Sequence, residues 1–138
     1  MSSARKSGST LGARLDAAAD GIRLRSGLRP PAVGLVLGSG LGGFAQSLGG
    51  RVAIPYAEIP HFPVSTGVVG HAGELVLGTV GTTPVAVLSG RVHFYEGRPM
   101  TDVVFPARVL ARLGVRAVVL TNAAGGVRLS FRPGDLML

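Results

Sequence analysis

Apolar runs that end in small-residue loops constrain this chain more than any other feature. Val33 to Leu37 runs into Gly38-Ser39-Gly40-Leu41-Gly42-Gly43, and Val115 to Leu120 runs into Thr121-Asn122-Ala123-Ala124-Gly125-Gly126. Runs of this length suit buried strands, and glycine permits tight exits from them. The 22 glycines among 138 residues exclude a helical bundle, because each glycine inside a helix costs roughly 1 kcal/mol relative to alanine.

Other segments read differently. From Leu11, apolar residues recur at Leu15, Ala18, Ala19 and Ile22, which predicts a helix ending near Gly27. A short helix is expected after Gly43, to about Leu48, and a strand over Val52 to Ile54. Glu74 to Val80 and Pro84 to Leu88 read as a hairpin about a turn at Gly81 to Thr83. Thr101 is placed to cap a helix running to Leu113, kinked at Pro106 and stopped by Gly114. Strands alternating with helices define an α/β domain with a substantial sheet. The expected organisation is a disordered tail over 1–10 and one domain over 11–138. The apolar run Leu136 to Leu138 stands at the last residue, so the expectation is a chain truncated after Leu138, with an unfinished sheet edge.

With no cysteine, disulfides and thiolate metal sites are excluded, and a cytoplasmic location is the default. The three histidines form no metal-ligand set. The net charge of +7 comes from dispersed arginines with few aromatics between them, which does not fit nucleic-acid binding. No secretory signal or membrane span is visible. A small anionic ligand accounts for a few well-placed arginines.

Gly90 to Gly97 reads GRVHFYEG. Taken as extended chain, it puts Arg91, His93 and Tyr95 on one face and Val92, Phe94 and Glu96 on the other. The first face offers a fixed cation, a titratable ring and a phenol, which suits an anion beside a sugar. The glycine loop with Ser39 opens a short helix, and its backbone N–H groups suit an anion. It also fits the dinucleotide fingerprint GxGxxG, with Glu58 about 20 residues on. That alternative leaves GRVHFYEG unexplained. Gly70-His71-Ala72-Gly73 follows a long loop and leaves the His71 ring free to meet a ligand. Thr121 to Gly126 exposes backbone amides at a strand's carboxyl end, where ligands of open α/β sheets gather. Together these loops suggest one oxyanion pocket with Arg91 as its fork.

Four strings in series carry a family resemblance: Val36 to Gly43, Ile59 to Thr66 leading to Gly70 to Gly73, Gly90 to Gly97, and Leu120 to Gly126. The stretch from about Val33 to Leu138 resembles the N-terminal half of the trimeric purine nucleoside phosphorylases. The resemblance implies a mixed β-sheet flanked by helices, in a homotrimer. It implies phosphorolysis of purine (deoxy)ribonucleosides to free base and (deoxy)ribose 1-phosphate, with inorganic phosphate as co-substrate and no metal or other cofactor. By motif position, Ser39, His71, Arg91, His93 and the Ala123 backbone N–H bind phosphate, with His93 and Arg91 catalytic. Tyr95 contacts the ribose, and Glu96 holds the orientation of His93. The family's purine-recognising groups belong to a later stretch and are not carried over. Other readings are a non-catalytic remnant that binds phosphate or a partner, and a dinucleotide-binding domain.

Overall fold

The computed structural model describes residues 9–64 and 73–138. Helix α1 spans Leu11–Ser26. Thr10 caps it by accepting the Ala13 N–H at 3.2 Å, and Gly27 closes it with its N–H on Arg23. Its buried residues are Leu15, Ala18, Ala19 and Ile22, the face that the spacing selects. Strand β1 (Val33–Leu37) leads through the glycine loop into α2 (Gly42–Gln46). Strand β2 (Gly49–Pro55) then precedes a single 3₁₀ turn at Tyr56–Glu58.

Strands β3 (Glu74–Val80) and β4 (Thr83–Ser89) form the expected hairpin. Its turn is tighter than the sequence suggests. Val80 pairs directly with Thr83, leaving Gly81 and Thr82 as a two-residue loop, with Gly81 at φ +57°.

The single helix expected from Thr101 to Leu113 is two helices, α3 (Met100–Val103) and α4 (Phe105–Arg112). Thr101 lies inside α3, and Pro99 holds the capping position with no side-chain bond. Pro106 has no N–H to give to the preceding turn, so the chain restarts with proline in the first turn of α4. Strand β5 is Ala117–Leu120.

The five strands form one mixed sheet in the order β2-β3-β4-β1-β5. Strand β1 is parallel to both β4 and β5, while β3 is antiparallel to both of its neighbours, β2 and β4. This is the α/β fold with a mixed, helix-flanked sheet. It is not a dinucleotide fold. The strand after α2 does not join β1 but lies at the far edge, antiparallel to β3, and Glu58 faces Arg25 in an exposed ion pair.

Strand alternation sends side chains to two cores. Leu75, Leu77, Ala86 and Leu88 pack with Ile22 of α1 and Phe105, Val109 and Leu110 of α4. Val76, Val85 and Val87 pack on the other face with Ala45 of α2 and Leu48. Each such aliphatic side chain contributes roughly 1.5–3 kcal/mol when fully buried. Strand β5 departs from expectation: all four of its residues are exposed. It pairs with β1 alone, and among the described residues no element covers it. No described helix is long and apolar enough to cross a membrane.

Candidate active site

Because β1, β4 and β5 run parallel, their carboxyl ends lie on one side of the sheet. The glycine loop leaves β1 there, the Gly90 segment leaves β4, and the Thr121 turn leaves β5. A cavity of about 210 Å³ opens at this end, lined by Ser39 and its flanking glycines, Ser89, Arg91 and His93. A larger cavity of about 340 Å³ lies near the hairpin turn, against Leu28, Arg29 and Pro84. It has one cation and no titrating partner for it in its wall, so the chemistry belongs to the smaller one.

The Gly90 segment is extended only as far as His93. Phe94–Glu96 then makes a 3₁₀ turn that Gly97 closes. This corrects the strict two-face alternation: Glu96 does not point away from His93 but curls back to it. Glu96 Oε1 accepts the His93 backbone N–H at 2.7 Å and lies 3.0 Å from His93 Nδ1. The Tyr95 ring stacks on the imidazole, with centroids 4.7 Å apart and planes inclined by 15°. Arg91 Nε donates to His93 Nε2 at 3.2 Å. A guanidinium N–H can only donate, so Nε2 accepts, and the ring proton sits on Nδ1 toward Glu96.

Arg91 is tethered at a second point. Its Nη1 donates to the Thr121 carbonyl at 3.0 Å. These two bonds use two of the five guanidinium N–H groups. The planar fork is thereby held in place, with the remaining donors available at the cavity.

Gly90, a lining residue, is tied to Tyr56 outside the lining. The Tyr56 hydroxyl donates to the Gly90 carbonyl at 2.7 Å, and its ring packs on Phe62 at 4.7 Å. Burial pushes the Tyr56 phenol far above its ordinary value, with the nearby Glu74 carboxylate adding to the effect. The Tyr56 N–H donates to the Gly73 carbonyl at 2.8 Å, and the next residue, Glu74, pairs with Ser89.

Of the residues singled out in the sequence, Ser39, Arg91 and His93 line one cavity. Glu96 and Tyr95 reach it through His93. Ala123 stands outside the described lining, two positions beyond the residue that anchors Arg91. His71 lies outside the described residues. Two members were given no role from the sequence, although Thr121 opens one of its small-residue loops. Ser89 is a buried polar residue of the lining, and Thr121 anchors Arg91. Their available signal was a hydroxyl residue closing an apolar strand just before a small-residue loop.

Residues 32–138 match the phosphorylase superfamily, and the chain belongs to it. Within that superfamily it is similar to purine nucleoside phosphorylase 1 of Bacillus subtilis, 56% identical over 108 residues, covering 78% of this chain and 40% of that protein. The purine nucleoside phosphorylase of Bos taurus is 48% identical over 108 residues, covering 78% of this chain and 37% of that one. A solved structure of isoform 2 of the Schistosoma mansoni enzyme, in complex with cytosine and ribose-1-phosphate, superposes with a TM-score of 0.78 at 42% identity. That match covers 88% of this chain and 42% of the other. The chain thus spans about two fifths of the length of the relatives it matches.

Proposed function

We propose that this chain carries the phosphate side of a purine nucleoside phosphorylase site. The reaction moves the (deoxy)ribosyl group of a purine nucleoside to inorganic phosphate, giving free base and (deoxy)ribose 1-phosphate. The observation that carries this reading is the meeting of Ser39, Arg91 and His93 on one cavity, from loops distant in sequence, in a chain this similar to named purine nucleoside phosphorylases.

Each residue has a role that follows from its chemistry. Ser39, with its hydroxyl and loop amides, and the free edge of Arg91 donate to phosphate oxygens. His71 and the Ala123 backbone N–H complete the donor set by family resemblance. His93 adds a ring that can take up a second proton, and Glu96 fixes its orientation. Tyr95, stacked on His93, packs against the sugar. Bound phosphate then serves twice, as a nucleophile held in line and as negative charge beside the developing oxocarbenium ion. Arginine and imidazole neutralise the phosphate, and no metal or cofactor is invoked. By the same resemblance, the proposed assembly is a homotrimer in the cytoplasm, acting on nucleoside and phosphate and not on nucleic acid or membrane.

A second reading is supported by the cavity itself. Its described lining supplies donors for phosphate and no acid or amide side chain for a leaving purine, so the residues in hand account for phosphate binding without turnover of nucleoside. Calorimetric titration with phosphate, using Arg91→Ala as control, tests the site common to both readings. A signal lost in the variant is expected, and identical titrations would refute the anion site. Phosphate-dependent release of hypoxanthine from inosine then separates enzyme from binder.

A further inference from the structure

We propose that Thr121 is a positioning residue of the anion site, locking the Ser39 loop and the Arg91 guanidinium into one fixed arrangement. The proposal rests on the reading of the Ser39, Arg91 and His93 cavity as an anion site. Thr121 stands immediately past β5, where the chain leaves the sheet. Its hydroxyl donates to the Val36 carbonyl at 2.9 Å and accepts the Gly38 N–H at 2.8 Å. One side chain thus grips both sides of Leu37, the residue at which β1 gives way to the loop carrying Ser39.

The backbone of Thr121 adds two further ties. Its N–H donates to the same Val36 carbonyl at 3.1 Å, and its carbonyl receives Arg91 Nη1 at 3.0 Å. Three segments far apart in sequence therefore meet on this residue. The approach is close enough to exclude a side chain opposite. A Cβ on Gly38 would lie 2.8 Å from Asn122 Cα and 2.9 Å from the Thr121 carbonyl oxygen.

A hydroxyl carries one proton. That proton is committed to Val36, and a lone pair is committed to Gly38. Thr121 therefore acts through the loop and through Arg91, not by touching the anion. The Gly38 N–H is equally committed, so the loop donors left for an anion come from Ser39 onward.

Valine keeps the size and β-branching of threonine but can make neither side-chain bond. Thr121→Val orphans the part-buried Gly38 N–H and releases the loop exit, so the Ser39 and Arg91 donors lose their common geometry. Serine keeps the hydroxyl and loses one methyl group. The experiment compares the native 138-residue chain with Thr121→Val and Thr121→Ser. It measures phosphate affinity by calorimetry, and by NMR the exchange protection of the Gly38 amide and the Arg91 Nε–H resonance. Circular dichroism checks the fold.

Thr121→Val is expected to weaken phosphate binding on the order of tenfold, the loss typical of an unsatisfied buried donor. Its Gly38 protection falls and its Arg91 resonance shifts, while Thr121→Ser stays within about threefold of the native affinity. Native affinity and native protection in the valine variant would overturn the proposal. Equal weakening in the serine variant would also overturn it, and that comparison holds even if the valine variant does not fold. Should the native chain bind no phosphate, the anion-site reading fails separately. The two resonances then still judge the locking role: loss in valine with rescue by serine supports it, and no change refutes it.

Discussion

Glu96 Oε1 lies 3.0 Å from His93 Nδ1 and 2.7 Å from the His93 backbone nitrogen, so one carboxylate oxygen holds both the ring and the chain that carries it. The 3₁₀ turn at Phe94–Glu96 makes this reach possible over three residues. A hydrogen bond to a charged group is worth about 1.5–3 kcal/mol. Glu96→Ala should therefore free the imidazole and weaken phosphate binding on the order of tenfold. Glu96→Gln keeps an acceptor and should lose about threefold or less. Calorimetric titration of both variants checks this, and an alanine variant with native affinity removes Glu96 from the site.

The Arg91 to His93 bond predicts a proton linkage. With Arg91 Nε–H donating to Nε2, the imidazole presents no N–H to the cavity. For His93 to donate to an anion while its Nδ1–H stays on Glu96, Nε2 must take a second proton and release Arg91 Nε. Sulfate binding should then take up about one proton, since sulfate itself does not titrate near neutral pH. Calorimetry in two buffers of different ionisation enthalpy measures the uptake, and His93→Asn should abolish it. Zero uptake by the native chain means His93 does not donate as an imidazolium held by Glu96.

Tyr56 predicts an alkaline weakness. Its folded-state pKa lies above the ordinary value of 10.0, because burial disfavours the phenolate. The unfolded chain therefore loses its proton first as the pH rises. The stability held at neutral pH starts to fall as the pH passes the unfolded value and continues falling toward the folded one. Denaturant midpoints should hold up to about pH 9 and drop as the pH rises past about 10, and less so in Tyr56→Phe. At neutral pH the phenylalanine variant loses the bond to Gly90, a cost of about 1 kcal/mol. Equal alkaline loss in both proteins would assign the effect to other groups.

Gly38 and Gly40 should respond to alanine for different reasons. At Gly38 the new Cβ meets the backbone of Asn122 and Thr121 below 3 Å, so Gly38→Ala must push two strand ends apart, at about 1–3 kcal/mol. It should also weaken phosphate binding. At Gly40 nothing lies within 4 Å, and only the φ of +85° resists a side chain, a cost of about 1–2 kcal/mol. Thermal unfolding of the pair, read with phosphate affinity, separates steric wedging from backbone strain.

Local patterns made several elements legible in advance. The spacing of Leu15, Ala18, Ala19 and Ile22 marks the buried face of α1, because helix periodicity is a property of neighbouring residues. The hairpin was legible for the same reason. The 3₁₀ turn at Phe94–Glu96 was not, since an alternation argument assumes extended chain and the Glu96 carboxylate overrides it by bonding back to His93. The exposure of β5 was equally hidden. Val118, Val119 and Leu120 have the composition of a buried strand, and burial depends on what else packs against it.

From sequence alone came the chain's periodicities, its loop chemistry and its likeness to the purine nucleoside phosphorylases. Those are carried by residues close together along the backbone. Only the tertiary structure decided that β1 lies between β4 and β5, both parallel to it. That order sends three strand exits to one side and lets Thr121 reach Gly38 and Arg91. Strand order is set by pairing between segments tens of residues apart, whose free energy no local stretch of sequence contains.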